Sequence, residues 1–211
     1  MADGPFLPVV QPGRRPDRPA VFDRLAMVGL GPSGVAVALA ARHAFPSALV
    51  IGVDRNDRLE TCVRLGAIDI GADDPIVIAE AELVVLAVPR AEQEEWIAAL
   101  PDLVPGRATI TSLQSDEGVP EAAALLPARF RFIAGHLCLA PSGTDLRHLN
   151  ADEVAGAEWA LIARDGDPDA SKLAGLVSGL GARPVLLNGE ADLRAFLQQM
   201  DRALGAVDEQ T

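Results

Sequence analysis

The sequence predicts an α/β fold with a doubly wound, mainly parallel sheet. Short apolar segments of strand length alternate with segments of helical periodicity, and residues 83–88 (LVVLAV) are apolar without interruption. A parallel strand that is buried on both faces has this uninterrupted pattern. The alternation implies right-handed crossovers between parallel strands. We therefore expect residues 83–88 to form a central strand of the sheet.

The predicted elements begin after a proline-rich segment. Residues 1–20 contain five prolines and are predicted to form an extended arm, and residues 21–211 are predicted to form one domain. Strands are predicted at 25–30, 48–53, 68–70, 83–88, 108–111, 130–134, 158–163 and 184–187. Helices are predicted at 33–44, 57–65, 92–100, 119–126, 168–180 and 190–204, and the last of them is amphipathic. Residues 136–155 are predicted to be irregular, and a stretch of that length is usually functional.

Composition excludes several classes of protein. The net charge of −12 disfavours binding to nucleic acid or to anionic lipid, so a small-molecule substrate is expected. No apolar stretch approaches the roughly 20 residues that cross a bilayer, and we expect a cytoplasmic protein. Cys62 and Cys138 lack metal-ligand spacing and are predicted to be buried thiols, so no metal site is expected. The chain has no tyrosine, which excludes mechanisms that need a catalytic tyrosine.

A complete G-x-G-x-x-G motif lies between the first predicted strand and the first predicted helix, the context in which it binds a dinucleotide. Gly29 permits the tight turn, Gly31 lets the backbone approach a pyrophosphate, and Gly34 lets helix and strand pack closely. The motif predicts a Rossmann-type fold, and an ordinary βα turn is the alternative. Its residues, all predicted to bind the cofactor, are Gly29, Leu30, Gly31, Pro32, Ser33 and Gly34.

An acidic residue follows the second predicted strand. Asp54 lies 20 residues after Gly34, where a carboxylate can bind both ribose hydroxyls and repel a 2′-phosphate. NAD is therefore favoured over NADP, although the neighbouring Arg55 could turn toward a 2′-phosphate. Val88 ends the fourth predicted strand and Pro89 follows it, and both are also predicted to line the cofactor site.

Five segments carry a resemblance to a known family. The sequences at residues 28–31 (VGLG), 51–56 (IGVDRN) and 83–89 (LVVLAVP) resemble those of prephenate/arogenate dehydrogenases. That family follows its fifth strand with a pattern close to T-D-x-x-S-x-K-G, where this chain has TSLQSDEG at 111–118. Its sixth strand leads into G-x-H-P-M-A-G, where this chain has GHLCLA at 135–140. The resemblance spans residues 25–200, and the positions that differ from the usual residues are Ser112, Glu117, Leu137 and Leu139.

The resemblance implies an NAD-dependent oxidoreductase of aromatic amino acid (tyrosine) biosynthesis, in which a ring carbinol loses a hydride while the ring is decarboxylated. It implies that His136 is the base and that Ser115 orients the same hydroxyl. The alternatives are a packed histidine and a serine that caps a helix. Arg90 and Arg147 are candidates to bind the carboxylates of a carboxylated cyclohexadienyl substrate, and ordinary solvated charge is their alternative.

The family also has an all-helical domain that makes its dimer, and we expect that domain to be absent from the sequence up to Thr211. A homodimer through the final helix is then expected, because its apolar positions exceed what one sheet face requires. A second hypothesis is a non-catalytic NAD-binding sensor or partner subunit. A third, an NADP reductase that uses a deazaflavin, is disfavoured by Asp54.

Overall fold

The computed structural model describes residues 19–115, 120–139 and 143–208, and the side chains of the last helix up to Arg202. These residues form an eight-stranded sheet with helices on both faces. Every strand pair is parallel except that of the sixth and seventh strands. The structure confirms the predicted doubly wound, Rossmann-type α/β fold. The predicted arm lies outside the described residues except for Pro19 and Ala20.

The strands alternate with the helices along the chain. The strands are β1 Arg24–Val28, β2 Leu49–Val53, β3 Ile70–Ala72, β4 Leu83–Leu86, β5 Ala108–Ser112, β6 Phe130–Cys138, β7 Glu158–Ile162 and β8 Arg183–Leu187. The α-helices are α1 Pro32–Ala44, α2 Asn56–Arg64, α3 Arg90–Leu103, α4 Pro168–Gly179 and α5 Glu190–Asp208. Short 3₁₀-helices lie at Pro75–Ile78, Glu121–Leu125, Leu146–His148 and Ala151–Val154.

The order of the strands across the sheet is β3-β2-β1-β4-β5-β6-β7-β8. The order reverses between β1 and β4, and ligands of open α/β sheets bind in the crevice at such a point. All four residues of β4 are buried, so β4 is central as predicted. One core cluster packs α1, α2 and α4 against one face of the sheet, and the other packs α3 against the opposite face.

The prediction that the sixth strand ends at residue 134 is wrong. β6 continues to Cys138 because β7 pairs with it in the antiparallel direction, with Ala134 opposite Ile162 and Cys138 opposite Glu158. His136 therefore lies within a strand, not in an irregular segment. The stretch 136–155 also contains the two 3₁₀-helices at Leu146–His148 and Ala151–Val154.

The α-helix predicted at residues 119–126 is a 3₁₀-helix over Glu121–Leu125. Leu126 has an extended conformation (φ −64°, ψ 135°), and it precedes Pro127. A proline disfavours the α-helical conformation of the residue before it, so the segment ends there. Ala122, Ala123 and Leu126 pack against the core, whereas Leu125 is 85% exposed.

The final helix packs against the last part of the sheet. α5 contacts β7 and β8, and its Leu193 is buried. Phe196, Leu197 and Met200 are half-buried, so their side chains remain partly accessible. Among the described helices, α5 included, none is both long and apolar enough to span a membrane.

Candidate functional site

A cleft of about 660 Å³ lies where the carboxyl ends of β1, β2, β4 and β5 meet. All the predicted cofactor-binding residues except Leu30 line it, namely Gly29, Gly31, Pro32, Ser33, Gly34, Asp54, Arg55, Val88 and Pro89. The side chain of Leu30 is buried, and its backbone N–H donates a hydrogen bond to the cleft residue Asp54. The structure thus brings the two halves of the predicted site together at the point where the strand order reverses.

The three glycines of the turn meet different surroundings. Gly29 has φ +89°, and a Cβ there would lie 2.7 Å from the carbonyl oxygen of Ala87. A Cβ at Gly34 would lie 2.3 Å from the carbonyl oxygen of Gly29. A Cβ at Gly31 would meet no described atom within 4 Å. Packing therefore requires glycine at positions 29 and 34, whereas a side chain at position 31 would project into open space.

Helix α1 begins at this turn with its N-terminal groups uncapped. Gly31 is the N-cap residue, Pro32 stands in the first turn, and no described side chain caps the helix. The first turn contains no acidic residue that would neutralise the positive end of the helix dipole. The first N–H groups of a helix lack acceptors within the helix, so this end of α1 can bind an anion such as a pyrophosphate.

Asp54 is held rigidly at the end of β2. Its Oδ2 accepts a hydrogen bond of 2.6 Å from the backbone N–H of Leu30 and one of 3.2 Å from Nη1 of Arg58. Its Oδ1 accepts a hydrogen bond of 2.7 Å from the backbone N–H of Arg55. The side chain of Arg55 is exposed and pairs with Asp57, with 3.0 Å between Nε and Oδ1. The carboxylate is therefore oriented before any ligand binds.

Eight residues that line the cleft were not predicted from the sequence, and they are Val28, Val53, Arg58, Asp73, Ala87, Glu92, Trp96 and Gln114. Asp73 and Gln114 follow the carboxyl ends of β3 and β5, so the rule that ligands bind at these ends could have identified them. Arg58 lies four residues after Asp54, a spacing that pairs side chains on a helix. The helical periodicity of α3 alone does not reveal that Trp96 reaches the cleft.

Gln93 joins the two sides of the cleft at the end of β4. Its side chain is fully buried, and Nε2 donates hydrogen bonds of 3.0 Å to the carbonyl oxygens of Val88 and Gln114. The turn between β4 and α3 is thereby fixed to the loop after β5. Both segments line the cleft, so this amide sets their separation.

The two predicted catalytic residues lie on neighbouring segments at the carboxyl edge of the sheet. Ser115 is fully buried, and its Oγ lies 2.5 Å from Oγ of Ser112. Ser112 Oγ in turn accepts a hydrogen bond of 3.3 Å from the backbone N–H of Gly135. His136 follows Gly135 in β6 and is half-buried. A hydrogen-bonded chain thus connects Ser115 to the residue before His136.

The two predicted substrate-binding arginines are placed differently. Arg90 begins α3 beside the cleft residue Pro89, and its Nη2 lies 3.3 Å from Oε1 of Glu94. Arg147 has a side chain that is 75% exposed and a two-pronged contact with Asp145, with 2.7 Å between Nη2 and Oδ2. Arg147 lines a different cavity, beside α2. Arg90 thus follows a cleft residue in the chain without lining the cleft itself, whereas Arg147 lies away from the cleft.

The pKa values of both cysteine thiols are raised. Burial, and secondarily Asp54, raises the pKa of Cys62 to about 11, although Arg58 opposes the shift. Burial, followed by Glu158 and Asp201, raises the pKa of Cys138. Cys62 is buried as predicted, whereas Cys138 is half-buried. Within the part of the chain that the structure describes, no group of three or more His, Cys, Asp and Glu residues could hold a metal ion.

Comparison of the sequence with known proteins gives a partial match. No family model matches the chain. Prephenate dehydrogenase of Bacillus subtilis (strain 168) is 32% identical over an alignment of 122 residues, and the match covers 54% of this chain and 32% of that enzyme. The matched region of the chain thus spans about a third of the length of this curated relative.

Solved structures share the fold over a larger region. Prephenate dehydrogenase from Aquifex aeolicus matches with a TM-score of 0.71 and 20% identity over 82% of this chain and 63% of its own. A structure of that enzyme in complex with hydroxyphenyl propionate and NAD+ matches with a TM-score of 0.67, 20% identity, and coverage of 78% and 59%. Arogenate dehydrogenase from Synechocystis matches with a TM-score of 0.69 and 20% identity over 79% and 60% of the two chains. These similarities, together with the motifs at residues 28–31, 51–56 and 83–89, confirm that the chain resembles the prephenate/arogenate dehydrogenases over a Rossmann-type nucleotide-binding domain.

Proposed function

We propose that the chain binds NAD in the cleft at the carboxyl ends of β1, β2, β4 and β5. The observation that carries this proposal is the hydrogen bond between Leu30 and Asp54, which joins the glycine turn to the acidic residue after β2. Gly31 and the uncapped N-terminus of α1 would hold the pyrophosphate, and Asp54 would accept the hydroxyls of the adenosine ribose. The open space at Gly31 fits a group that approaches the backbone.

We infer that NAD is preferred to NADP because of the charges beside the ribose position. The carboxylate of Asp54 would repel a 2′-phosphate. Both nearby arginines have acidic partners, since Arg58 pairs with Asp54 and Arg55 pairs with Asp57. A 2′-phosphate would have to displace these partners, at a cost that the hydroxyl of NAD avoids.

We also propose that residues 21–211 form the nucleotide-binding domain of an oxidoreductase of the prephenate/arogenate dehydrogenase type. The nicotinamide of bound NAD would supply the hydride acceptor. His136 would take the proton of the carbinol hydroxyl, since imidazole titrates near neutral pH. Ser115 would orient that hydroxyl, and Arg90 would bind a carboxylate of a cyclohexadienyl substrate. A second copy of the chain would contact α5 through its partly accessible apolar residues.

The activity is tested by NADH formation from prephenate and from arogenate. We expect turnover with one of these substrates, and a loss of about 100-fold or more in kcat for His136→Asn, since general base catalysis contributes about that much. His43→Asn is the matched control because His43 is exposed at the opposite end of α1 from the glycine turn. Full activity of His136→Asn would contradict the assignment of the base.

The positions of two predicted site residues favour a second function. Ser115 is fully buried, and Arg147 lies away from the cleft, so the positions of these two residues do not support a complete substrate site. A non-catalytic sensor or partner subunit would bind NAD through the same turn and would not need that site. NAD binding by the wild-type protein without turnover of either substrate would support this function.

A further inference from the structure

The buried pair Ser112 and Ser115 lies at the end of β5, beside the cleft residue Gln114. Both side chains are fully buried, and their oxygens are 2.5 Å apart. The resemblance noted from the sequence has aspartate, not serine, at position 112. The neutral Ser112 at this position is therefore a feature of this chain.

The two hydroxyls have two possible arrangements of their protons. Oγ of Ser112 accepts from the N–H of Gly135 at 3.3 Å, and it can donate to Oγ of Ser115 or to the carbonyl oxygen of Gly135, also at 3.3 Å. If Ser112 donates to Ser115, the hydroxyl proton of Ser115 can be donated to a group other than Ser112. If Ser112 donates to Gly135, Ser115 donates to Ser112 and can accept from a third group. An aspartate carboxylate at position 112 can only accept, so Ser115 could only donate to it, and the arrangement in which Ser115 accepts from residue 112 would be lost.

The backbone around this pair is fixed by other contacts. The N–H of Leu113 donates to the carbonyl oxygen of Leu86, and the N–H of Leu137 donates to the carbonyl oxygen of Leu113, both at 3.0 Å. Gln93 holds the carbonyl group of Gln114. The main freedom that remains to Ser115 is therefore the rotation of its side chain, and among the described residues Ser112 is the hydrogen-bond partner that limits it.

We propose that Ser112 is a positioning residue, which orients the hydroxyl of Ser115 and lets it act either as donor or as acceptor during the reaction. The role rests on the proposed function, in which Ser115 orients the substrate hydroxyl. Ser112 touches neither substrate nor cofactor in this role, because it acts through Ser115.

A kinetic comparison of Ser112→Ala, Ser115→Ala and the double variant tests the proposal. We expect Ser112→Ala to lower kcat about 10-fold, the size of one lost hydrogen bond, while KM for NAD stays within about twofold. The double variant should be no slower than Ser115→Ala, because Ser112 acts only through Ser115. Ser112→Thr, which keeps the hydroxyl, should recover activity relative to Ser112→Ala.

Thr111→Val is the matched control for the loss of a buried hydroxyl on the same strand. Thr111 is fully buried, and its Oγ1 has no hydrogen-bond partner among the described residues. This variant should retain wild-type kcat. An equal loss in Thr111→Val, an unchanged kcat in Ser112→Ala, or additive losses in the double variant would each overturn the proposal.

Crystal structures of the wild-type protein and of Ser112→Ala test the orientation of Ser115 without any need for turnover. We expect one Ser115 rotamer in the wild type, and a different or a mixed rotamer in Ser112→Ala. The same single rotamer in both proteins would overturn the proposal. If the wild-type protein has no dehydrogenase activity, the proposed function fails, and these structures still decide whether Ser112 orients Ser115.

Discussion

The backbone N–H of Leu30 and the Oδ2 of Asp54 are joined by a hydrogen bond of 2.6 Å. This contact connects the glycine turn after β1 to the end of β2, two segments that hold opposite halves of a dinucleotide in Rossmann-type folds. Arg58 contacts the same carboxylate oxygen at 3.2 Å. Asp54 thus has a structural role in the turn as well as its proposed role toward the ribose.

Replacing Asp54 should therefore change both the affinity for NAD and the choice of cofactor. We expect Asp54→Ala to weaken NAD binding by roughly 10- to 100-fold, the value of a hydrogen bond to a charged group. NADP should bind the variant better than it binds the wild type, because the repelling carboxylate is gone and Arg58 loses its acidic partner and is available to a 2′-phosphate. Calorimetric titration with both cofactors measures these changes. Glu60→Ala, an exposed α2 variant with the same change in net charge, is the control. Unchanged binding of both cofactors to Asp54→Ala would contradict the assignment.

The glycines at positions 31 and 34 should respond differently to alanine. A Cβ at Gly34 would clash with the carbonyl oxygen of Gly29, so Gly34→Ala should lower the free energy of unfolding by about 1–3 kcal/mol, as overpacking does. A Cβ at Gly31 meets open space, so Gly31→Ala should change the stability by less than about 0.5 kcal/mol. Urea denaturation followed by circular dichroism measures both values. A strongly destabilised Gly31→Ala would show that the turn is packed differently.

The thiol of Cys62 should make the stability fall at high pH. Its pKa in the folded protein is raised from an ordinary value of 9.0 to about 11, so between these pH values the unfolded chain loses the proton and the folded chain keeps it. The folded state then binds more protons, and the free energy of unfolding decreases as the pH rises through this window. We expect Cys62→Ala to reduce this decrease in denaturation experiments from pH 8 to pH 11. An identical pH dependence in both proteins would contradict the raised pKa.

Asp167 should contribute to stability through two sets of contacts. Its Oδ1 accepts from the N–H groups of Asp169 and Ala170 at the start of α4, and its Oδ2 accepts from Nε of Arg131 at 2.8 Å. Asp167→Ala removes a helix cap and leaves Arg131 without this partner, so we expect a loss of about 2 kcal/mol in thermal or urea unfolding. Arg107→Ala removes the exposed pair with Asp169 and should cost about 0.5 kcal/mol or less. Equal effects of the two variants would contradict this account.

The same residue gives a prediction at acidic pH. Burial alone would raise the pKa of Asp167, but the hydrogen bond from Arg131 and the backbone N–H groups outweigh it and lower the pKa below 3.8. The folded state therefore favours the carboxylate. Its stabilising contribution is present above about pH 4 and is lost as the pH falls through the lowered pKa. The stability of Asp167→Ala should fall less steeply than that of the wild type below pH 4, and parallel curves would refute the prediction.

Sequence patterns predicted the first half of the chain well because the constraints there are local. The glycine motif, Asp54 and the apolar β4 segment belong to consecutive βαβ units, in which each residue's position follows from its distance to a strand end. The extension of β6 to Cys138 could not be predicted in this way. It depends on antiparallel pairing with β7, which begins at Glu158 after an intervening segment with no strand pattern.

The candidate site was predicted unevenly for the same reason. Nine of the ten proposed cofactor residues line the cleft, since the motif fixes them relative to β1, β2 and β4. Arg147 was proposed because it lies in the segment after β6, but the path of that segment is set by tertiary packing, which directs it toward α2. The link between Ser112, Ser115 and Gly135 joins β5 to β6 and has no signature in either segment alone.

The central claim, that the cleft at Gly31 and Asp54 binds NAD, is tested most directly by calorimetric titration of the purified protein with NAD, alongside Gly31→Ala. We predict that one NAD binds each wild-type chain, and that Gly31→Ala, still folded by circular dichroism, binds at least about 10-fold more weakly because its methyl group occupies the space of the pyrophosphate. Absence of NAD binding to the folded wild-type protein, or equal binding to both proteins, would contradict the claim.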